Sequence, residues 1–382
     1  MFVSFISTGG IYPKNLVMES PDGKSRQRIE IPSSAKPLEG FRAVMGYDKD
    51  SGKFAVWLFD QTGKEVHRWP VNYDAIVNQA GDGVTDKVDA PHGLDVRKDG
   101  SIVINFDHAD AIARLDQCGD PLWVTRGVFH HSISPSGDGN YWTWRGNETA
   151  YGTDQMLVKI DAESGTVIQS LDLVEDFINA SEEASTAFSV PHNIEYKDLK
   201  GRGENGEDIF HPNDVEELSG SMAQAFPGME AGDLLISLRN IHMLSVLRPT
   251  DRSLIWARYG PWRYQHDPDF NADGTISVYD NNPNLGVSSI IEVTPNRQFS
   301  RRLFAGGNLR FFSWAMGKHQ ILPSGGALIV VPGQGRVLEV DVSGNLVFEF
   351  NNKVKPGLNG QVQNGKWLRL DYFVELPNCG KS

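Results

Sequence analysis

The chain has 382 residues, 40% of them hydrophobic and 22% charged, with 39 glycines, 20 prolines and a net charge of −13. That length can bury a large core made of many short elements, and the glycine usage favours turns over helices. The acidic balance argues against a nucleic-acid partner, so an anionic ligand would have to be drawn by a local cluster of His and Arg against the overall field.

The opening "MFVSFISTGG" lacks the basic flank and long apolar core of a secretory signal, and no stretch approaches the roughly 20 apolar residues of a membrane span. Residues 1–40 read as an N-terminal extension to a single domain over 41–382. That domain starts with "AVMGYDKDSGKFAVWLFDQTGKEVHRWP", alternating strands separated by turn residues. Related stretches then recur: "PHGLDVRKDGSIVINF" from Pro91, "HHSISPSGDGNYWTW" from His130, "HPNDVEEL" from His211, "QHDPDFNADGTISVYD" from Gln265 and "KHQILPSGGALIVV" from Lys318. Each sets a histidine ahead of a short strand, a tight turn and a second strand. In the Gln265 stretch the turn is carried by Asn271, Asp273 and Gly274, which tolerate positive φ. Most are followed by another strand pair, such as "AIARLDQCGDPLWV", "MLVKIDAESGTVIQSL", "LSVLRPTDRSLIWA" or "RVLEVDVSGNLVFEF". The one clear helical pattern is "LVEDFINASEEASTAF", Leu173 to Phe188, within an insertion over about 173–190.

Repeats of roughly 40 to 55 residues with four short strands each are the signature of a β-propeller, whose blades bury their faces only against one another. The expected fold is therefore all-β, a six-bladed β-propeller with a short N-terminal extension and the helical insertion between blades three and four. Either the extension or the closing "KWLRLDYFVEL" is expected to supply the strand that seals the ring. Cys118 and Cys379 lie too far apart in sequence for a CxxC pair or a thiolate metal site, and two free thiols are expected in preference to a disulfide.

In a propeller the innermost strand of every blade lines the central channel, and its start lies on one face of the disc. Repetition then brings His92, His131, His211, His266 and His319 together from five blades. A lone histidine at a strand start is more often a structural hydrogen-bonder, and His67, His108 and His242, which sit elsewhere in their repeats, are read as ordinary. Flat apolar walls are offered by Phe311, Phe312, Trp314 and Met316 and by Phe129, Trp142 and Trp144, with inter-blade packing as the competing reading for each one. His192 in "SVPHNIEY" is a candidate lid residue.

The stretches "SLRN", "GPWRYQHDPDF", "HPNDVEEL", "HHSISPSGDGNYW" and "HQILPSGGALIV" resemble the arylsulfotransferase family over about residues 41–350. The resemblance implies a six-bladed propeller that moves a sulfuryl group from an aryl sulfate to a phenol, ping-pong through a sulfohistidine and without a nucleotide cofactor. It implies His266 as nucleophile, Arg239 in "SLRN" as the supporting cation, and His211 and His131 as further catalytic histidines. The doublet leaves His130 beside His131 as an alternative by one residue. His130, His319, His92, Phe312 and Trp314 then fall to substrate binding. No metal and no cofactor are expected. The family's periplasmic members carry a signal that is not visible in this chain, so the compartment stays open, as does a homodimer.

Sulfuryl transfer passes through a loose transition state, so positioning and charge stabilisation dominate catalysis. A neutral imidazole suits the nucleophile's task near pH 7, provided its second nitrogen donates to a carbonyl or carboxylate, a partner that the neighbouring Asp267 is not assigned to be. Two other readings compete. Convergent histidines also suit a metal-dependent enzyme, although Arg239 among them repels a cation. The other is a propeller that serves as a non-catalytic binding or scaffold domain.

Overall fold

The turn chemistry of the repeats builds the sheets. In "DQTG", "DQCG", "DAESG" and "DVSG" the leading aspartate (Asp60, Asp116, Asp161, Asp341) accepts backbone N–H bonds from residues two to four ahead, and Gly63, Gly119, Gly165 and Gly344 take left-handed φ values of 73° to 82°. Such turns reverse the chain tightly between alternating strands. The computed structural model describes residues 16–21, 26–78, 90–106, 111–146, 156–188, 210–296, 300–304 and 309–380.

Within those residues the protein is nearly all-β and folds into seven small antiparallel sheets. Six have four or five strands; in four of them the strands follow sequence order from an inner strand outward, and the other two each take one strand from the opposite end of the chain. The inner strands are Pro91–Val96, Phe129–Pro135, Pro212–Glu217, His266–Phe270, Lys318–Ile321 and Val362–Leu368. Each packs against the next in this list and the last packs against the first, so their contacts close a cycle. This propeller-like arrangement puts the strand starts on one face and the strand ends on the other.

The sealing strand comes from the C-terminal side. Val362–Leu368 pairs with Phe41–Asp48, outside which lie Lys53–Phe59 and Glu65–Val71. The N-terminal part contributes as well. Ile29–Glu30 adds a fifth strand beside Leu346–Asn351, and Val17–Glu19 joins Lys353–Lys355 and Leu358–Gly360 in the three-stranded sheet. A buried Arg42–Glu339 ion pair, with Nε to Oε2 at 2.8 Å, ties the first sheet to the last across this closure.

The core lies between sheets, where Trp57, Trp69, Trp144 and Trp262 are fully buried. Truncating a tryptophan packed in this way to alanine typically costs about 3–5 kcal/mol. Short helices occupy Leu173–Ile178, a π-helical turn capped by Asp172, and Glu182–Ala187, capped by Ser181. A further helix, Tyr73–Asn78, follows the first sheet and has no clear signal in the sequence. No helix among the described residues is long and apolar enough to cross a membrane.

The expectation of free thiols is corrected, because Cys118 and Cys379 form a disulfide across 261 positions of sequence. The pairing follows from the return of the C-terminal tail over the second sheet. There the Val374 N–H donates to Lys98 O at 2.9 Å and the Asn378 N–H to Gln117 Oε1 at 3.2 Å.

Candidate functional site

Four inner strands share a local irregularity at the histidine position. Their ladders slip register between Pro91 and Leu94, His130 and Ile133, Pro212 and Asp214, and His266 and Asp269. A bulge of this kind re-aims side chains that a regular pleat would alternate between faces. His131 and His211 also hold left-handed φ values of 61° and 46°, and Asp267 one of 51°. Non-glycine residues in that region cost of order 1–3 kcal/mol each and persist where the surroundings over-determine them. The strained positions therefore cluster where the histidines meet.

The rings of His92 and His131 are 4.9 Å apart, those of His130 and His131 4.8 Å, and those of His131 and His211 5.1 Å. Both members of the doublet lie in the same buried hub, with His130 Nδ1 2.5 Å from His131 Nδ1. Arg239 reaches this group from the neighbouring strand end. Its backbone N–H donates to His211 O at 3.2 Å, and its guanidinium stands 5.8 Å from the Tyr264 ring.

His266 is 4% exposed. Its Nδ1 is 2.7 Å from Asn281 Oδ1 and 3.0 Å from Tyr264 O, while its Nε2 accepts the Met316 N–H at 3.2 Å. Burial, then the Arg239 charge, hold its pKa well below the ordinary histidine value, with His211 and His92 adding to the effect against the Asn281 hydrogen bond. His131 is depressed in the same sense by burial and by the charge that His130, His92, His211 and His266 would carry. Both rings are thus neutral at pH 7, and His266 can act as a nitrogen nucleophile.

His319 stands apart from this hub. Lys318–Ile321 has no register slip, and the His319 ring turns to Asp267 Oδ2 at 3.0 Å through Nδ1 and to Ser277 Oγ at 2.8 Å through Nε2. The atom order is that of a Ser–His–Asp triad, but Ser277 is fully buried, so no substrate carbonyl can reach its hydroxyl. His319 lines a cavity of about 280 Å³ with Asp214, Glu216, Asp267, Asp269 and Lys318, reaching the far ends of the inner strands. Lys318 Nζ bridges Asp214 Oδ1 at 2.8 Å and Asp267 Oδ1 at 2.7 Å, and Lys366 Nζ binds Asp95 Oδ1 at 3.0 Å. Asp267, Asp269 and His319 bring three potential ligand atoms within 4.8 Å of one another. Both oxygens of Asp267 are already engaged, by Lys318 and by His319, in an ion-pair network.

The aromatic candidates divide. Phe129, Phe311, Trp142 and Trp144 are buried in inter-sheet clusters, as the packing reading has it. Phe312 is half-buried, and Trp314 is 68% exposed on the segment that leads to Met316 and the Nε2 face of His266. His67 bonds Gln117 O, and His242 Nδ1 accepts the Tyr264 N–H. His108 and His192 lie outside the described residues. Sequence reasoning passed over Asn281 and Tyr264. The only signal for Asn281 is an Asn pair directly after the strand Ile276–Asp280.

Residues 93–353 match the family model described as Arylsulfotransferase (ASST). Among solved structures, a protein of unknown function from Bacteroides caccae is similar with a TM-score of 0.51 at 13% identity, over 85% of this chain and 99% of that one. A functionally unknown protein from Desulfotomaculum acetoxidans gives 0.49 at 8% identity over 86% and 99%. Virginiamycin B lyase from Staphylococcus aureus gives 0.39 at 14% identity over 69% and 71%. At such identities the first likeness speaks for the fold alone. No curated protein matches this chain.

Proposed function

The chain belongs to the arylsulfotransferase family, and on that footing we propose that it moves a sulfuryl group from an aryl sulfate to a phenol through a sulfated His266. The observation that carries this reading is a buried histidine with Nδ1 against a side-chain amide oxygen and Nε2 left as an acceptor, beside an arginine and further imidazoles. In the first half-reaction the Nε2 lone pair forms an N–S bond as the S–O bond to the aryl group breaks and the phenolate departs. The sulfuryl group must displace the Met316 N–H from Nε2 to do so. Arg239 stays protonated and offers a planar donor fork to the sulfuryl oxygens, while His211 and His131 supply N–H donors to the departing oxygen. In the second half an incoming phenol passes its proton to His211 or His131, its oxygen forms the new O–S bond as the N–S bond to His266 breaks, and the cycle is ping-pong with no nucleotide cofactor.

Six blades is the count that the cycle of inner-strand contacts supports. Residues 1–40 are then an extension, although two of their strands pair with the last sheets, and 41–382 the propeller. Trp314 and Phe312 are assigned to the aryl group, and His92 and His130 to the walls of the hub. The Cys118–Cys379 disulfide fits an oxidising compartment such as a periplasm. A metal-dependent reaction at the hub competes poorly, since the Arg239 guanidinium opposes a cation there. Elemental analysis is the measurement that would reopen it.

The test is incubation with 4-nitrophenyl sulfate, with and without added phenol. The expected result is nitrophenolate release that depends on the phenol, and a sulfated peptide containing His266. Absence of release across several aryl sulfate donors would overturn the assignment and leave a binding or scaffold role.

A further inference from the structure

A neutral imidazole has one bare nitrogen, and catalysis by His266 depends on which one it is. Asn281 is fully buried beside it. The two amide hydrogens of Asn281 are spent on backbone carbonyls, with Nδ2 at 2.9 Å from Ser313 O and 2.6 Å from Met316 O. Flipping the amide would turn Oδ1 onto those two carbonyl oxygens and leave the donors facing His266, so the orientation is forced by the neighbours and not by a choice between like-shaped atoms. With Oδ1 fixed toward Nδ1 at 2.7 Å, that nitrogen must carry the hydrogen. The opposite side of the ring agrees, because the Met316 N–H has only Nε2 to donate to there.

We propose that Asn281 is a positioning residue that locks His266 in the Nδ1–H tautomer and, through the 313–316 segment, holds the Met316 amide against Nε2. One side chain thereby sets both the direction of the lone pair and the group that covers it. Its oxygen orients the nucleophile, and its nitrogen anchors the peptide that the substrate displaces. The Tyr264 carbonyl, 3.0 Å from Nδ1, is a second and longer acceptor, and it cannot anchor the 313–316 segment. The catalytic half of this inference rests on the sulfotransferase reading, whereas the tautomer does not.

The experiment uses the full chain labelled with ¹⁵N-histidine, with His266 assigned by its loss in His266→Ala. In the wild type, Nδ1 should show the protonated-type shift and Nε2 the bare-nitrogen shift at pH 7. Finding the hydrogen on Nε2 overturns the proposal without any variant being needed. Asn281→Asp, which keeps an acceptor and removes both donors, should keep Nδ1 protonated, whereas Asn281→Ala should show exchange between tautomers. If the aryl sulfate assay is positive, Asn281→Ala should lower kcat by about 10²-fold, the scale of a small misplacement of a reacting group, with KM within about twofold. A wild-type spectrum and wild-type kcat in Asn281→Ala overturn the proposal. A wild-type enzyme with no sulfotransferase activity but the Nδ1–H tautomer retains Asn281 as the tautomer lock and rejects only the reaction.

Discussion

The histidine hub and the carboxylate cavity share the same inner strands, yet burial acts on them in opposite ways. At the hub burial pushes both His266 and His131 toward the neutral form, helped at His266 by the Arg239 charge and at His131 by the neighbouring histidines. In the cavity burial pushes carboxylates toward the neutral, unreactive form, raising Asp214 to about 7 and Glu216 to about 8. Burial would raise Asp267 as well, but the Lys318 charge and the His319 hydrogen bond outweigh it and hold that residue low. In the cavity the Lys318 cation bridges Asp214 and Asp267 and so holds strands together. The ladder geometry matches this division. The hub stands where bulges and left-handed residues break the pairing, and His319 stands on a strand with unbroken register.

The widest separation between the two regions should come from the paired substitutions His266→Ala and His319→Ala. On the proposed reaction, removing the His266 ring should abolish acceptor-dependent nitrophenolate release. Removing His319 takes one donor from Asp267 and the partner of Ser277, which should cost about 1–3 kcal/mol of stability in urea denaturation and far less of the activity. Comparable losses of activity in both variants would break the comparison, since His319 would then belong to the reacting hub.

Arg239→Ala comes next in size. Loss of one preorganised donor to a developing anion usually costs about 3–4 kcal/mol of barrier, or roughly 10²–10³ in kcat. Arg239→Lys should recover only part of that, because an ammonium keeps the charge and loses the planar fork. If Lys restores the full rate, the arginine serves as a bare charge and the donor geometry assigned to it is wrong.

The sequence made the hub legible and left the cavity hidden, for physical reasons that particular residues show. His92, His131, His211 and His266 were found because repetition puts one residue type at one place in each unit, and cyclic contact of the inner strands does the rest. His319 obeys the same spacing and still turns away, because nothing in "KHQILPS" signals that the bulge of the other repeats is missing. The sealing strand was foreseen without a choice between the two ends of the chain, and both ends turned out to add strands. Asn281 was passed over because its role depends on where Ser313 and Met316 return in space, more than 30 residues later. The disulfide escaped for the same reason on a larger scale.

The smallest expected effect lies in the cavity and concerns pH. Burial raises Glu216 from the usual carboxyl value to about 8, with Asp214 and Asp267 adding to the shift against a hydrogen bond from the Phe270 N–H. A group whose folded-state pKa exceeds its unfolded value contributes stability at low pH and loses it as pH rises through the folded value. The wild type should therefore lose stability between about pH 4.5 and 8 through this residue, where the unfolded chain is ionised and the folded one still holds the proton. Glu216→Gln keeps the neutral shape and cannot titrate. Its melting temperature should match or fall slightly below wild type at pH 5 and exceed it at pH 8.5, by about 2 °C for a gain of about 1 kcal/mol. An advantage that is the same at both pH values would mean that Glu216 is ionised in the folded cavity. The Lys318 charge would then reach beyond the two carboxylates it touches, and the contrast between the cavity and the hub would have to be redrawn.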